Sequence, residues 1–212
     1  MKERIRAAFP PLGCLNIACA LTLCGGLCGV GGIFSLFRAI HLSRYAVFQC
    51  SAYVCDAMDG TVARRFSLTS PFGKALDSLC DCISFSVLPA VAFAFFGGFR
   101  PIWMLVGLLF AACGVLRLAY FDITECDGYF VGLSSPVASG LLILPRFLAA
   151  LATGGFMSPW MAFLYPLYGL LVAGLMISNL RVKKYGPFNL AVSALGFLTL
   201  AACLALGRCP VV

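Results

Sequence analysis

Residues 56–81 read DAMDGTVARRFSLTSPFGKALDSLCD and stand between two long apolar runs. Four of the chain's 8 acidic side chains, Asp56, Asp59, Asp77 and Asp81, fall in this one stretch. Spacings of three and four residues put Asp56 with Asp59, and Asp77 with Asp81, on one face of each of two helices. Between the pairs, Arg64, Arg65 and the dipeptide Ser70-Pro71 mark a short polar connection, with Ser70 as N-cap and Pro71 as first helical residue. The stretch therefore reads as a helix end, a turn and a helix start, and antiparallel packing across that turn makes all four carboxylates converge. Worked outward, each helix runs on into an apolar segment of about the 20 residues that cross a bilayer.

The whole chain agrees with that reading. Its 212 residues are 62% hydrophobic and 11% charged, against about 45–50% and about 25% in an ordinary soluble domain. Seven segments have spanning length: roughly 14–36, 44–65, 74–97, 101–121, 132–152, 158–180 and 187–207. The expected fold is all-α, a polytopic membrane helix bundle forming a single domain over residues 1–212. Six core transmembrane helices occupy about 14–184, and a seventh, extra C-terminal span covers 187–207. The second and third spans score lowest on hydropathy because they carry the aspartates. The charged start, Met-Lys-Glu-Arg-Ile-Arg, resembles that of a signal peptide, but no AxA-like cleavage site follows, so the first helix is expected to be retained. With alternating spans, ten Lys and Arg (2, 4, 6, 64, 65, 74, 117, 181, 183, 184) fall on one side and four (38, 44, 100, 208) on the other, which predicts a cytoplasmic N-terminus. Residues 56–81 then face the cytoplasm, and Arg146 lies inside a span.

Several function classes drop out. The net charge of +7 has no basic stripe with stacking aromatics, so no nucleic-acid partner is expected. Most of the 12 cysteines sit within apolar segments and read as small hydrophobes. Cys80 and Cys82 are wrongly spaced for a redox pair or a zinc site, and His41 has no ligand partner nearby. A Ser-His-Asp hydrolase is disfavoured because His41 falls on the opposite membrane face. Gly25 and Gly29 form a GxxxG, read as a close helix contact.

An uncompensated aspartate at bilayer depth costs about 2.5–3.5 kcal/mol. Ion pairing with Arg64, Arg65 and Lys74 is one compensation, but those cations fall mainly in the loop. The other is one or two divalent cations with all-oxygen ligands, which favours Mg2+ or Mn2+. Such a cluster suits a phosphate ester at a membrane interface. Gly60 removes a side chain beside Asp59, Ala63 keeps the same face small, and Gly73 lies near the free N–H groups of a helix start that favours phosphate. Arg64 adds a guanidinium to the same anion.

Asp56, Asp59, Gly60, Ala63, Arg64, Gly73, Asp77 and Asp81 match every fixed position of DxxDGxxARx8GxxxDxxxD, and the chain so resembles the CDP-alcohol phosphatidyltransferases. Three further stretches are similar to the integral-membrane phosphatidylserine synthase branch: Arg117 to Asp122 (RLAYFD), Tyr129 to Pro136 (YFVGLSSP) and Leu175 to Asn179 (LMISN). Asn16 resembles the Asn that opens that branch's first span. Asp122 stands where the branch usually has Asn, and Ser134 where it has Pro.

The resemblance implies transfer of the phosphatidyl group of CDP-diacylglycerol to the hydroxyl of L-serine, giving phosphatidylserine and CMP. It implies Asp56, Asp59, Asp77 and Asp81 as metal ligands for Mg2+ or Mn2+, taken as two ions. Asp81 is also expected to be the catalytic general base. Asp56, Gly60, Ala63, Arg64 and Gly73 are expected to bind CDP-diacylglycerol, and Arg117 the acceptor carboxylate, although at a helix end an Arg also serves as an interface anchor. A homodimer in the cell (plasma) membrane is implied as well. Two rivals remain at this stage. One keeps the chemistry with inositol phosphate, glycerol 3-phosphate, choline or ethanolamine as acceptor. The other is a cation transporter, which would more often hold its carboxylates at mid-bilayer within repeated halves.

Overall fold

The computed structural model describes residues 9–38, 42–124, 129–153 and 158–183. The expected seventh span, His41 and the N-terminal Lys2, Arg4 and Arg6 lie outside the described residues. A short helix α1 (Pro10–Gly13) precedes α2 (Ile17–Arg38) and α3 (Leu42–Arg65). The third span is composite, with α4 (Pro71–Asp81), a π-helical turn (Cys82–Val87) and α5 (Leu88–Phe96). Then come α6 (Pro101–Ile123), α7 (Ser135–Thr153) and α8 (Pro159–Met176). The protein is a helical membrane bundle. Among the described residues, five helical segments are both long and apolar enough to cross a membrane. Helix α3 matches them in length at 24 residues but carries Asp56, Asp59, Arg64 and Arg65.

The helices alternate in direction, as ring contacts at one end and polar contacts at the other establish. At one end Tyr45 of α3 meets Phe96 of α5, and Phe93 meets both Trp103 of α6 and Tyr165 of α8. At the other, Thr22 of α2 meets Asp59 of α3, and Arg117 of α6 meets Ser135 of α7. The largest buried side chains, including Trp103, Tyr45, Phe93 and Phe110, form a core that ties α3, α5, α6, α7 and α8 together. Arg146, the cation inside the fifth span, is 4% exposed and lies 5.7 Å from the centroid of the Phe96 ring.

In lipid, helix association depends on close packing rather than on expulsion of water, so small residues decide which helices touch. The glycines of α2 face inward. A Cβ on Gly29 would lie 2.6 Å from Ser84 Oγ and 3.0 Å from Ser84 Cα, and one on Gly26 would lie 2.8 Å from Cys80 Sγ. Gly25 and Gly29 of the GxxxG therefore pack within the chain, against α3 and the π turn, with Gly26 against α4. The π turn has a local cause. Pro89 has no N–H to give the Phe85 carbonyl, and the residues before it take the wider winding. Gln49 Nε2 bonds the Ser84 carbonyl at 3.2 Å, while Ser84 Oγ bonds Gly25 O at 3.0 Å. The nine described cysteines are free thiols, in keeping with their reading as small hydrophobes.

One element was not anticipated. Strands β1 (Tyr129–Val131) and β2 (Arg181–Lys183) form an antiparallel ribbon that joins the two loops at the polar end. It shortens both neighbouring spans relative to the sequence reading, so that α7 begins at Ser135 rather than 132 and α8 ends at Met176 rather than 180. Gly132 makes the turn possible, with φ of +74° and its N–H bonded to Leu180 O at 2.8 Å. A Cβ there would collide with the Met176 carbonyl oxygen. Leu133 N bonds Leu175 O at 3.0 Å, so the stretches 129–136 and 175–179 are two sides of one junction.

Candidate active site

The start of α4 is built as its sequence predicts. Ser70 Oγ accepts from Gly73 N at 3.0 Å, and Pro71 occupies the first turn. The connection before it is pinned by Asn16, whose Nδ2 bonds Leu68 O at 3.1 Å while its Oδ1 accepts from Cys19 N at 2.9 Å. Asn16 thus caps α2 and fixes the α3–α4 loop with one side chain. That gives a physical reason for an Asn at the opening of the first span.

The four aspartates converge at the polar end. Asp56, Asp59 and Asp77 each offer one carboxylate oxygen, and these three atoms lie within 4.8 Å of one another. Asp81 stands outside that tight group but shares with the other three the lining of a small interior pocket, together with Thr22, Ser84 and Phe85. Asp59 lies six residues before the end of α3, about 9 Å below it at helical rise. The cluster is therefore close to one membrane interface, and not at mid-bilayer where a transported ion would more often be held.

The donor set fits a hard cation. All the candidate ligand atoms are carboxylate oxygens. Among the described residues the ion pair joins Lys74 and Asp122, and none of the four aspartates takes part in one. Like charges this close, with no ion pair to any of them among the described residues, could be balanced by a metal. Asp59 is 6% exposed and oriented by Thr22, whose hydroxyl donates to Asp59 Oδ2 at 2.6 Å and also approaches Ala18 O at 3.0 Å. Thr22 escapes a sequence reading because it is 37 residues away from its partner. A hydroxyl in an apolar span, shared in α2 only with Ser35, was its one available signal.

Beside the carboxylates a cleft of about 190 Å³ is lined by Asp59, Gly60, Ala63, Gly73, Lys74 and Asp77, together with Cys19, Thr22 and Ser70. Three of the expected donor-site positions, Gly60, Ala63 and Gly73, thus border one space. The Arg64 guanidinium lies beside Gly60, for a Cβ there would be 3.6 Å from Arg64 Nη1. The cleft joins carboxylates able to hold cations with a capped helix start and two basic side chains, an arrangement that suits a phosphate diester.

Arg117 is not an interface anchor. It is 8% exposed, its Nη1 donates to Ser135 Oγ at 2.9 Å, and it interacts electrostatically with Asp81. The three stretches around Arg117, Gly132 and Leu175 meet here. Nearby, Tyr53 OH lies 2.6 Å from both Pro136 O and Ser139 Oγ and its ring stacks on Phe85 at 4.9 Å, holding α3 to α7 behind Asp56. The sequence reading missed Tyr53 and Ser139, as it missed the bond from Ser78 Oγ to Asp122 Oδ1 at 2.9 Å.

Comparison with known proteins agrees with this geometry. A protein from Methanocaldococcus jannaschii named CDP-diacylglycerol–serine O-phosphatidyltransferase is 33% identical over 148 residues, 69% of this chain and 67% of the relative. One of the same name from Mycobacterium tuberculosis is 30% identical over 201 residues, 87% of this chain and 67% of the relative. An archaetidylserine synthase from Methanothermobacter thermautotrophicus is 40% identical over 114 residues, 51% of this chain and 49% of that protein. A family model described as CDP-alcohol phosphatidyltransferase matches residues 15–165, the span that runs from Asn16 through the aspartates to Tyr165. The chain belongs to the CDP-alcohol phosphatidyltransferase family.

Proposed function

We propose that this protein transfers the phosphatidyl group of CDP-diacylglycerol to the hydroxyl of L-serine, giving phosphatidylserine and CMP. The observation that carries the reading is the convergence of Asp56, Asp59 and Asp77 beside a cleft bordered by Gly60, Ala63 and Gly73. The names of the similar proteins supply the acceptor. Both lipids stay in the bilayer while the cytidine diphosphate lies at the helix ends.

Asp56, Asp59 and Asp77 would hold Mg2+ or Mn2+, as two ions, with Asp81 at the edge of the same pocket. Bound there, the metal supplies positive charge to the diphosphate oxygens and to the charge developing on the leaving group. Gly60, Ala63 and Gly73 leave room for the donor, and Arg64 pairs with its phosphates. Asp81 takes the proton from the serine hydroxyl as that oxygen forms a bond to the phosphatidyl phosphorus. The bond from this phosphorus to the CMP oxygen breaks, and CMP leaves with the electron pair. Arg117 lies beside Asp81, where it would bind the serine carboxylate. The active site and N-terminus face the cytoplasm in this reading, the membrane is the plasma membrane, and the enzyme is a homodimer, as the family resemblance implies.

CMP release should need L-serine, and Arg117→Lys tests how serine is recognised. A lysine keeps the charge but loses the planar fork, so the serine KM should rise about tenfold or more while the KM for CDP-diacylglycerol stays within about twofold. An unchanged serine KM would remove Arg117 from the acceptor site.

A further inference from the structure

Helix α4 presents two polar faces. Gly73 and Asp77 border the donor cleft. Lys74, Ser78 and Asp81, spaced i, i+4 and i+7, face α6. Their partners on α6 come in reverse order, as antiparallel helices require. Lys74 Nζ donates to the Asp122 carbonyl oxygen at 2.9 Å and lies 3.8 Å from Asp122 Oδ1. Ser78 Oγ donates to Asp122 Oδ1 at 2.9 Å, and Asp81 is within electrostatic reach of Arg117. About one turn further along the same pair, Ser86 of the π turn packs against Gly114 of α6, where a Cβ would strike its hydroxyl. Asp122 thus grips α4 at two successive turns, on the face next to the one that carries Gly73 and Asp77.

We propose that Asp122 is a positioning residue that sets the register of α4 against α6, and through it the places of Asp77 and Asp81. The inference rests on the transferase reading of the aspartate cluster and assigns the residue that holds half of that cluster in place. Asp77 precedes Ser78 directly and Asp81 follows it by less than one turn, so a shift at Ser78 moves both. Of the two contacts, the bond from Ser78 carries the effect. The Lys74 side chain is 55% exposed, and ion pairs that open contribute little. The Ser78 bond is partly buried and has a charged acceptor. Asn at 122 would keep the accepting oxygen, so an amide and a carboxylate can serve equally in this place.

The test is a double-mutant cycle on the full-length protein in detergent, comprising Asp122→Ala, Ser78→Ala, both together, and Asp122→Asn. Two readouts are taken: the Mn2+ concentration for half-maximal CMP release, and Mn2+ binding followed by electron paramagnetic resonance without substrate. Each alanine variant should need about fivefold more Mn2+, with kcat about tenfold lower, and the double variant should be no worse than either single one. Asp122→Asn should stay within about twofold of the parent in both. A parental Mn2+ requirement in Asp122→Ala, or single effects that multiply in the double variant, would overturn the proposal. If Asp122→Ala fails to fold, Ser78→Ala alone against Asp122→Asn decides it. Parent protein that binds Mn2+ but releases no CMP counts against the transferase reading, and the resonance titrations still decide the role of Asp122. Parent protein that binds no Mn2+ overturns both.

Discussion

Asp81→Asn should lower serine-dependent CMP release by about 10³-fold, within the 10²–10⁴ range for a positioned general base, while CDP-diacylglycerol binding stays near its parental level. The expectation comes from where Asp81 stands. It is the member of the four that lies outside the tight oxygen cluster of Asp56, Asp59 and Asp77, yet it borders the same pocket and is within electrostatic reach of Arg117. A carboxylate in that place is within reach of an acceptor approaching along Arg117 without being committed to the cation. Asparagine keeps its size and one hydrogen-bonding oxygen but cannot take a proton. The diagnostic pattern is lost kcat with an unchanged donor KM. Near-parental turnover in Asp81→Asn would end the assignment of Asp81 as base. A matching loss of Mn2+ binding would make it a metal ligand instead.

Asp59→Ala should be as damaging by another route. Asp59 is the most buried of the four, and its Oδ2 is held by Thr22. Losing it should abolish measurable turnover and metal binding together. The sign of the stability change separates this from misfolding. Without metal, removing one carboxylate from a like-charged cluster relieves repulsion, so metal-free Asp59→Ala should melt no lower than the metal-free parent. With saturating Mn2+ the parent gains stability by mass action, about 2.7 kcal/mol at a hundredfold excess over Kd, or roughly 5–10 °C for a chain of this size. Asp59→Ala should show none of that gain. A metal-dependent rise in its melting temperature equal to the parent's would show that the ion binds elsewhere.

Much of this site is legible in local sequence because its geometry is local. Asp56 with Asp59, Asp77 with Asp81, and the Ser70 cap with Pro71 are all fixed by spacing within one helix or across one turn. The spans themselves follow from composition, and their ends came within a few residues wherever a Pro or a charge marks them, as at Pro101 and Pro159. What escaped depends on partners distant in sequence. Thr22 reads as an ordinary residue of an apolar helix until α2 is laid against α3. The glycines at 25, 26 and 29 announce a close contact but not its partner, which proves to be α3, α4 and the π turn of the same chain. The ribbon joins three residues to three others about 50 positions away, too short a run for any periodicity to register. Asp122 looked like a departure at the edge of an acidic loop, whereas it is the last polar contact of α6 with α4. In each case the side chain was visible but its neighbour was not.

The reading as a whole is tested most directly by CMP release from CDP-diacylglycerol, using purified protein in detergent with Mn2+ or Mg2+ and a panel of acceptors: L-serine, glycerol 3-phosphate, inositol phosphate, choline and ethanolamine. Release that requires both the divalent cation and L-serine, and that stops on chelation and returns when metal is restored, is the predicted result. Folded protein that releases no CMP with any acceptor would contradict the transferase reading and turn attention to cation transport, and release with another alcohol in place of L-serine would contradict the assignment of the acceptor.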